Sequence, residues 1–120
     1  MGYNTDFAGH FDVTPRLSEE HIGFLREFAE DCRSEGPGGY CQWVPSKDGS
    51  RIEWDGNEKF YNYVEWMRHL LSAYLVPWGH TVNGMVEWIG DERGDMGLIE
   101  VRDNKMTVRS GRVVYDNCND

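Results

Sequence analysis

A chain of 120 residues has room for one domain on one core, and no segment supplies the ~20 consecutive apolar residues of a membrane-spanning helix. Its net charge of −9 works against direct binding of nucleic acid or anionic membrane, which need a cationic face. The apolar fraction is a modest 39%, yet five Trp can fill a core with large rings, and three cysteines without CxxC spacing argue against a disulfide framework or a cysteine zinc site.

The segment Met1–Asp6 has neither the basic nor the apolar stretch of a signal peptide, and Asp6 stands where a myristoylation site wants Ser or Thr. The expected location is the cytoplasm. Tyr3, Thr5 and Phe7 alternate with Asn4 and Asp6, and Phe11 and Val13 flank Asp12, which predicts a strand interrupted near Gly9-His10. Ser18, followed by Glu19 and Glu20, reads as a helix start, with Leu17 and Ile22 as a hydrophobic staple. Ile22, Leu25, Phe28, Ala29 and Cys32 make its apolar stripe, and Gly36-Pro37-Gly38-Gly39 ends it.

Tyr40–Val44 and Arg51–Trp54 form a hairpin around the turn residues Pro45–Gly49. Asp55-Gly56-Asn57 offers caps for a second helix, whose stripe is Phe60, Tyr63, Val64, Met67, Leu70, Leu71, Tyr74 and Leu75, and which Pro77 ends. Asn83-Gly84 between His80–Val82 and Met85–Ile89 predicts a type I′ hairpin. Leu98–Arg102 and Lys105–Arg109 flank Asp103-Asn104, another tight-turn pair, and residues 115–120 read as a polar tail. The order predicts a single α+β domain over 1–120: a mostly antiparallel sheet of five or six strands with two amphipathic helices on one face, the other face solvated or used.

Motifs for chemistry are absent. The four His form no HExxH or Cys/His spacing, and Glu65 and His69, four apart on one helix, read as an exposed carboxylate–imidazole pair. The loop Asp91-Glu92-Arg93-Gly94-Asp95 lacks EF-hand spacing and reads as solvated carboxylates. Cys32, Cys41 and Cys118 are candidate nucleophiles, but no nucleophile elbow surrounds them. Gly36–Gly39 lacks the strand and the lysine of a phosphate loop. No metal or cofactor is expected.

The aromatic set is the more informative feature. Trp43, Trp54, Trp66, Trp78 and Trp88 fall in a short stretch with Tyr40, Tyr61, Tyr63 and Tyr74 among them. One reading packs them into the seam between sheet and helices. The other makes a binding surface of Gln42, Trp43, Trp54, Asp55, Glu58, Lys59, Tyr61, Glu65, Trp66 and Trp78, with Trp66 at the edge of the second helix's stripe and Tyr61 on its outer side.

Met1–Phe7, Cys41–Pro45, Ile52–Trp66, Pro77–Gly79 and Asn83–Trp88 resemble, over nearly the whole chain, a family of uncharacterised small proteins of bacteria and their phages. The resemblance brings no activity. Its typical members carry more residues before the Cys-Gln-Trp strand than Ser34–Gly39 here, so a function built on that segment does not carry over. It implies a phage or prophage setting, where small acidic proteins often bind and block a host protein, defence systems included.

The expectation is a non-enzymatic interaction protein that meets a basic or grooved host partner, by an acidic surface that serves either solubility or nucleic-acid mimicry. One alternative is a nucleotide-sequestering binder that stacks a base on Tyr or Trp and meets phosphate with Arg51, Lys59 or Arg68. The other is an enzyme using Glu58, Glu65 or His69 as acid or base.

Overall fold

Alternation along the first strand decides which face of the sheet lies inside. A computed structural model of the chain describes residues 3–30, 36–37 and 40–111. Cys32, Cys118 and the 115–120 tail lie outside the described residues. Strand β1 (Thr5–Thr14) points Thr5, Phe7, Phe11 and Val13 inward and leaves Asp6, Ala8, Asp12 and Thr14 exposed. It runs unbroken through the predicted interruption, because Gly9 takes φ +108° and stays in register with Val86.

Helix α1 (Glu19–Glu30) begins as predicted. The Ser18 hydroxyl accepts the His21 N–H at 3.2 Å, Leu17 is buried and Ile22 packs against the core. Leu25 and Phe28 are its buried stripe, and Glu20 and Glu27 face water. Strands β2 (Trp43–Pro45) and β3 (Arg51–Trp54) form the predicted hairpin. Pro45 belongs to the strand and not to the turn, which an edge strand permits. In the turn, Asp48 Oδ1 accepts from the Ser50 backbone N–H at 3.0 Å, the Ser50 hydroxyl at 2.7 Å and the Ser46 hydroxyl at 2.9 Å. These bonds, the backbone one foremost, hold the Asp48 carboxyl well below the usual carboxylate range.

The second helix starts later than its apolar stripe predicts. Phe60 is buried but precedes the helix, because Lys59 (φ 61°) and Asn62 (φ 58°) both take left-handed backbone. Helix α2 (Tyr63–Leu70) buries Trp66, Met67 and Leu70 and passes into a π-helical turn over Leu71–Leu75. Asn62, not Asp55-Gly56-Asn57, stands at its N-cap, and no side chain caps it. Among the described residues no helix is long and apolar enough to cross a membrane.

The predicted Asn83-Gly84 hairpin is absent. Strand β4 (Thr81–Gly90) passes straight through it, pairing with β1 on one side and with β5 (Met96–Arg102) on the other. Gly84 sits opposite both Phe11 and Val101, in the middle of the sheet. The Asp103-Asn104 turn is present: φ values of 49° and 70° are those of a I′ turn, and it joins β5 to β6 (Lys105–Ser110).

The result is a six-stranded antiparallel sheet in the order β2-β3-β1-β4-β5-β6, an α+β architecture. Inward residues of β1, β4 and β5 join Leu25, Phe28, Trp66 and Leu70 in one core, so both helices cover the same face. The opposite face carries Asp6, Ala8, Asp12, Met85, Glu87, Ile89 and Arg102, all exposed.

Candidate functional site

The aromatic surface read from the sequence divides when folded. Trp43 and Trp66 are 1% and 0% exposed, so neither contributes to a surface. The stripe of α2 turns Trp66 inward, not to its edge, and Trp43 sits on the inward face of β2, where its Nε1–H donates to the Tyr63 carbonyl at 2.8 Å. Gln42 is also buried. Its amide donates to the Glu58 carbonyl at 3.0 Å and accepts the Trp54 Nε1–H at 3.1 Å, so it ties the hairpin to the loop before α2. Trp54 is half-buried, and Asp55, Glu58 and Lys59 are exposed on that loop. Trp78 lies in a separate cluster, stacked on His21 at 3.7 Å and set against Phe24 and Tyr74.

Two of the sequence candidates, Tyr61 and Glu65, do converge with other functional side chains. They line a pocket of about 410 Å³ together with Tyr3, Thr5, Phe60, Tyr63 and Asp95. Three elements build it. The segment before β1 supplies Tyr3, the approach to α2 and its first turn supply Tyr61, Tyr63 and Glu65, and the β4–β5 loop supplies Asp95. Tyr61 enters not on the outer side of a helix but just ahead of one, half exposed, where its hydroxyl accepts the Tyr3 backbone N–H at 3.3 Å.

The Tyr3–Asp95 contact holds the pocket's far wall. The Tyr3 hydroxyl donates to Asp95 Oδ2 and accepts the Glu92 N–H at 3.0 Å, while Asp95 Oδ1 accepts the Trp88 Nε1–H at 3.1 Å. The Asn4 N–H adds a bond to Asp91 at 2.7 Å. The loop expected to be merely solvated is therefore tied to the N-terminal strand and the core. Gly90 leaves room for this: a Cβ there would overlap both the Asp95 carboxylate and the Tyr3 hydroxyl. The hydrogen bond to Asp95 is also the main cause that raises the Tyr3 phenol above its ordinary range.

Tyr63 forms the inner wall, packed against Phe7 at 5.0 Å and Trp88 at 5.4 Å. Burial, reinforced by the negative charges of Asp95, Tyr3 and Glu65, pushes its phenol up to about 12. Folded protein thus keeps this proton after the unfolded chain, with the ordinary value of 10.0, has lost it. The corresponding stability is complete below the unfolded value and is lost as pH rises through the folded one. Urea midpoints should fall across that alkaline window in the wild type and fall less in Tyr63→Phe, and phenolate absorbance should lose its latest-titrating component in the variant.

The pocket is electronegative. Among the described residues two carboxylates and three phenols line it, and no Lys, Arg or His does. A larger depression of about 580 Å³ lies between α1 and β2, with Arg26 beside Glu30 and Asp55. The cations considered for phosphate, Arg51, Lys59 and Arg68, line neither of these nor the third depression on β4 and β5. Glu58, Glu65 and His69 do not converge: Glu58 lies on the loop, Glu65 at the pocket, and His69 against Phe28, Trp66 and Tyr74. Cys41 is buried, its thiol 3.6 Å from the Trp43 carbonyl. Among the described residues no three His, Cys, Asp or Glu gather closely enough to hold a metal ion.

Tyr3, Tyr63 and Asp95 are pocket residues that sequence reasoning missed, Tyr63 because it was read only as part of the second helix's apolar stripe. Tyr3 carried one usable signal, its phase with Thr5 and Phe7, which places it on the inward side. Asp95 carried none, since it meets Tyr3 only through the pairing of β1 with β4. No family model, curated protein or solved structure matches the chain.

Proposed function

We propose that the chain is a non-enzymatic interaction module that captures a basic partner protein by taking an arginine or lysine side chain into the Tyr3–Tyr61–Tyr63 pocket. One observation carries this reading: phenol rings and carboxylates share a cavity that, among the described residues, no basic side chain lines. Ring faces attract a cation by about 0.5–2 kcal/mol, according to how far it is desolvated. Glu65 and Asp95 add the opposite charge, and the net charge of −9 steers a basic surface toward the site. In the phage setting that the sequence resemblance implies, the partner is a host protein with a basic groove, a defence protein among the candidates.

Titration with an arginine-bearing peptide, followed by calorimetry or amide chemical shifts, tests the reading. Binding is expected at low salt, weaker as salt rises, with an acidic peptide of equal length silent. Tyr61→Ala and Glu65→Gln, both at exposed positions, should each weaken it by about 1 kcal/mol, roughly fivefold. No binding by arginine or lysine peptides at low salt, or no response to either substitution, would refute the pocket as the site.

A further inference from the structure

We infer that the open face of the sheet is a self-association surface, on which a second copy of this chain docks face to face about a twofold axis running along the strands between β4 and β5. The face is the one that neither described helix covers. Met85 and Ile89 stand 50% and 58% exposed on it. Register puts Met96 directly beside Ile89 and Leu98 beside Glu87, so the apolar residues surround Glu87. They border a depression of about 310 Å³ that Arg109 also lines. Apart from Glu87, a carboxylate within the cluster, apolar side chains stand at the centre of the face and charges at its margins, the usual anatomy of an interface.

The charges identify the occupant as a second copy. On this face β1 and β4 carry Asp6, Asp12 and Glu87, whereas β5 and β6 carry Arg102, Lys105 and Arg109, all exposed. The acidic and basic margins lie on opposite sides of the apolar centre, and they sit at matching heights. Asp12 is level with Asn83, which lies beside Gly84, while Arg102 pairs with Lys105 next to Val101, the partner of Gly84. A twofold axis along the strands exchanges β1 with the partner's β6 and β4 with its β5. Asp12 then faces the partner's Lys105, Asp6 and Glu87 lie near the partner's Arg109, and Ile89 meets the partner's Met96. A twofold axis across the strands would instead stack acid on acid and base on base. Two local pairs temper the charges without reversing the pattern: His10 lies 3.2 Å from Asp12, and Arg102 lies 3.3 Å from Glu100. Arg51, beside Asp12 on β3, lies at the margin of the patch.

Four strands at ~4.8 Å spacing and about six residues of length make a footprint roughly 20 Å square. At about 400 Å² per copy that is below the range of stable specific interfaces and in that of weak, transient ones, so a concentration-dependent dimer is expected and not an obligate one. At net charge −9 two copies also repel overall, a force screened beyond about 8 Å at physiological salt.

The test is sedimentation equilibrium on the full chain at physiological salt, from micromolar to millimolar protein. The wild type should pass from monomer to dimer. Ile89→Glu, at an exposed position, should stay monomeric at every concentration, with an unchanged far-UV spectrum. Asp12→Lys and Lys105→Asp should each weaken the dimer at least tenfold, and the doubly exchanged chain should recover most of that loss. A wild type monomeric at millimolar concentration, a dimer indifferent to Ile89→Glu, or a double exchange that fails to recover association would each overturn the inference.

Discussion

Replacing Trp43 with alanine is expected to cost about 3–5 kcal/mol of folding stability, a large share of the ~5–15 kcal/mol a domain has. Trp43 is 1% exposed, with ring centroids 5.4 Å from Phe7, 5.6 Å from Phe11 and 5.2 Å from Phe60. These rings come from β1, β2 and the approach to α2, so the loss falls on the junction of three elements and the site cannot collapse onto any one of them. Trp43→Phe separates shape from polarity. It keeps most of the ring contacts and leaves the Tyr63 carbonyl without its Nε1–H donor, at about 1–2 kcal/mol. Urea denaturation followed by far-UV circular dichroism gives both numbers without depending on tryptophan emission. An alanine variant within about 1 kcal/mol of wild type would mean that the aromatic cluster is not the centre of the core.

That cluster explains how the sequence both reveals and conceals this protein. Elements set by local chemistry were legible. Ser18 caps α1, Asp103-Asn104 supplies two left-handed residues for a hairpin, and the alternation of β1 separates its two faces. The α2 stripe was legible in Met67, Leu70 and Leu75, but not its start, because the left-handed turns at Lys59 and Asn62 follow from the tertiary packing of Phe60. The excess of tryptophan could be read as core or as surface, and the fold divides it: Trp43 and Trp66 go inside, while Trp78 keeps a partly exposed stack with His21. The pocket was half legible, in Tyr61 and Glu65. Its other half, Tyr3 and Asp95, meets only through the β1–β4 ladder, which pairs residues far apart in sequence. The open face could be anticipated as a face, but its division into acidic and basic strands depends on strand order, which the sequence does not state.

Asn83-Gly84 gives the sharpest contrast between the two readings. In a I′ turn both residues are left-handed and solvated, so Gly84→Ala would cost only the left-handed penalty of about 1–2 kcal/mol, and a β-branched residue at Asn83 would cost at least as much. In the sheet the order reverses. Gly84 has φ +145°, and a Cβ there would lie 2.5 Å from the His10 carbonyl oxygen and 2.9 Å from Phe11 Cα, both backbone atoms of a central strand that cannot move aside. Strained backbone and forced contact together put Gly84→Ala at about 3 kcal/mol or more, or roughly 10 °C or more in Tm, and Gly84→Val higher still. Asn83 lies on the open side of the same strand, where its side-chain Oδ1 accepts the exposed Asp103 N–H at 2.8 Å. Asn83→Thr loses that bond but gains a residue suited to a strand, so its net cost should stay under about 1 kcal/mol. Thermal melts of the two variants side by side decide the matter. An Asn83→Thr loss as large as that of Gly84→Ala would restore the hairpin and divide β4, and with it both the β1–β4 ladder that brings Tyr3 to Asp95 and the continuous face on which two copies are inferred to meet.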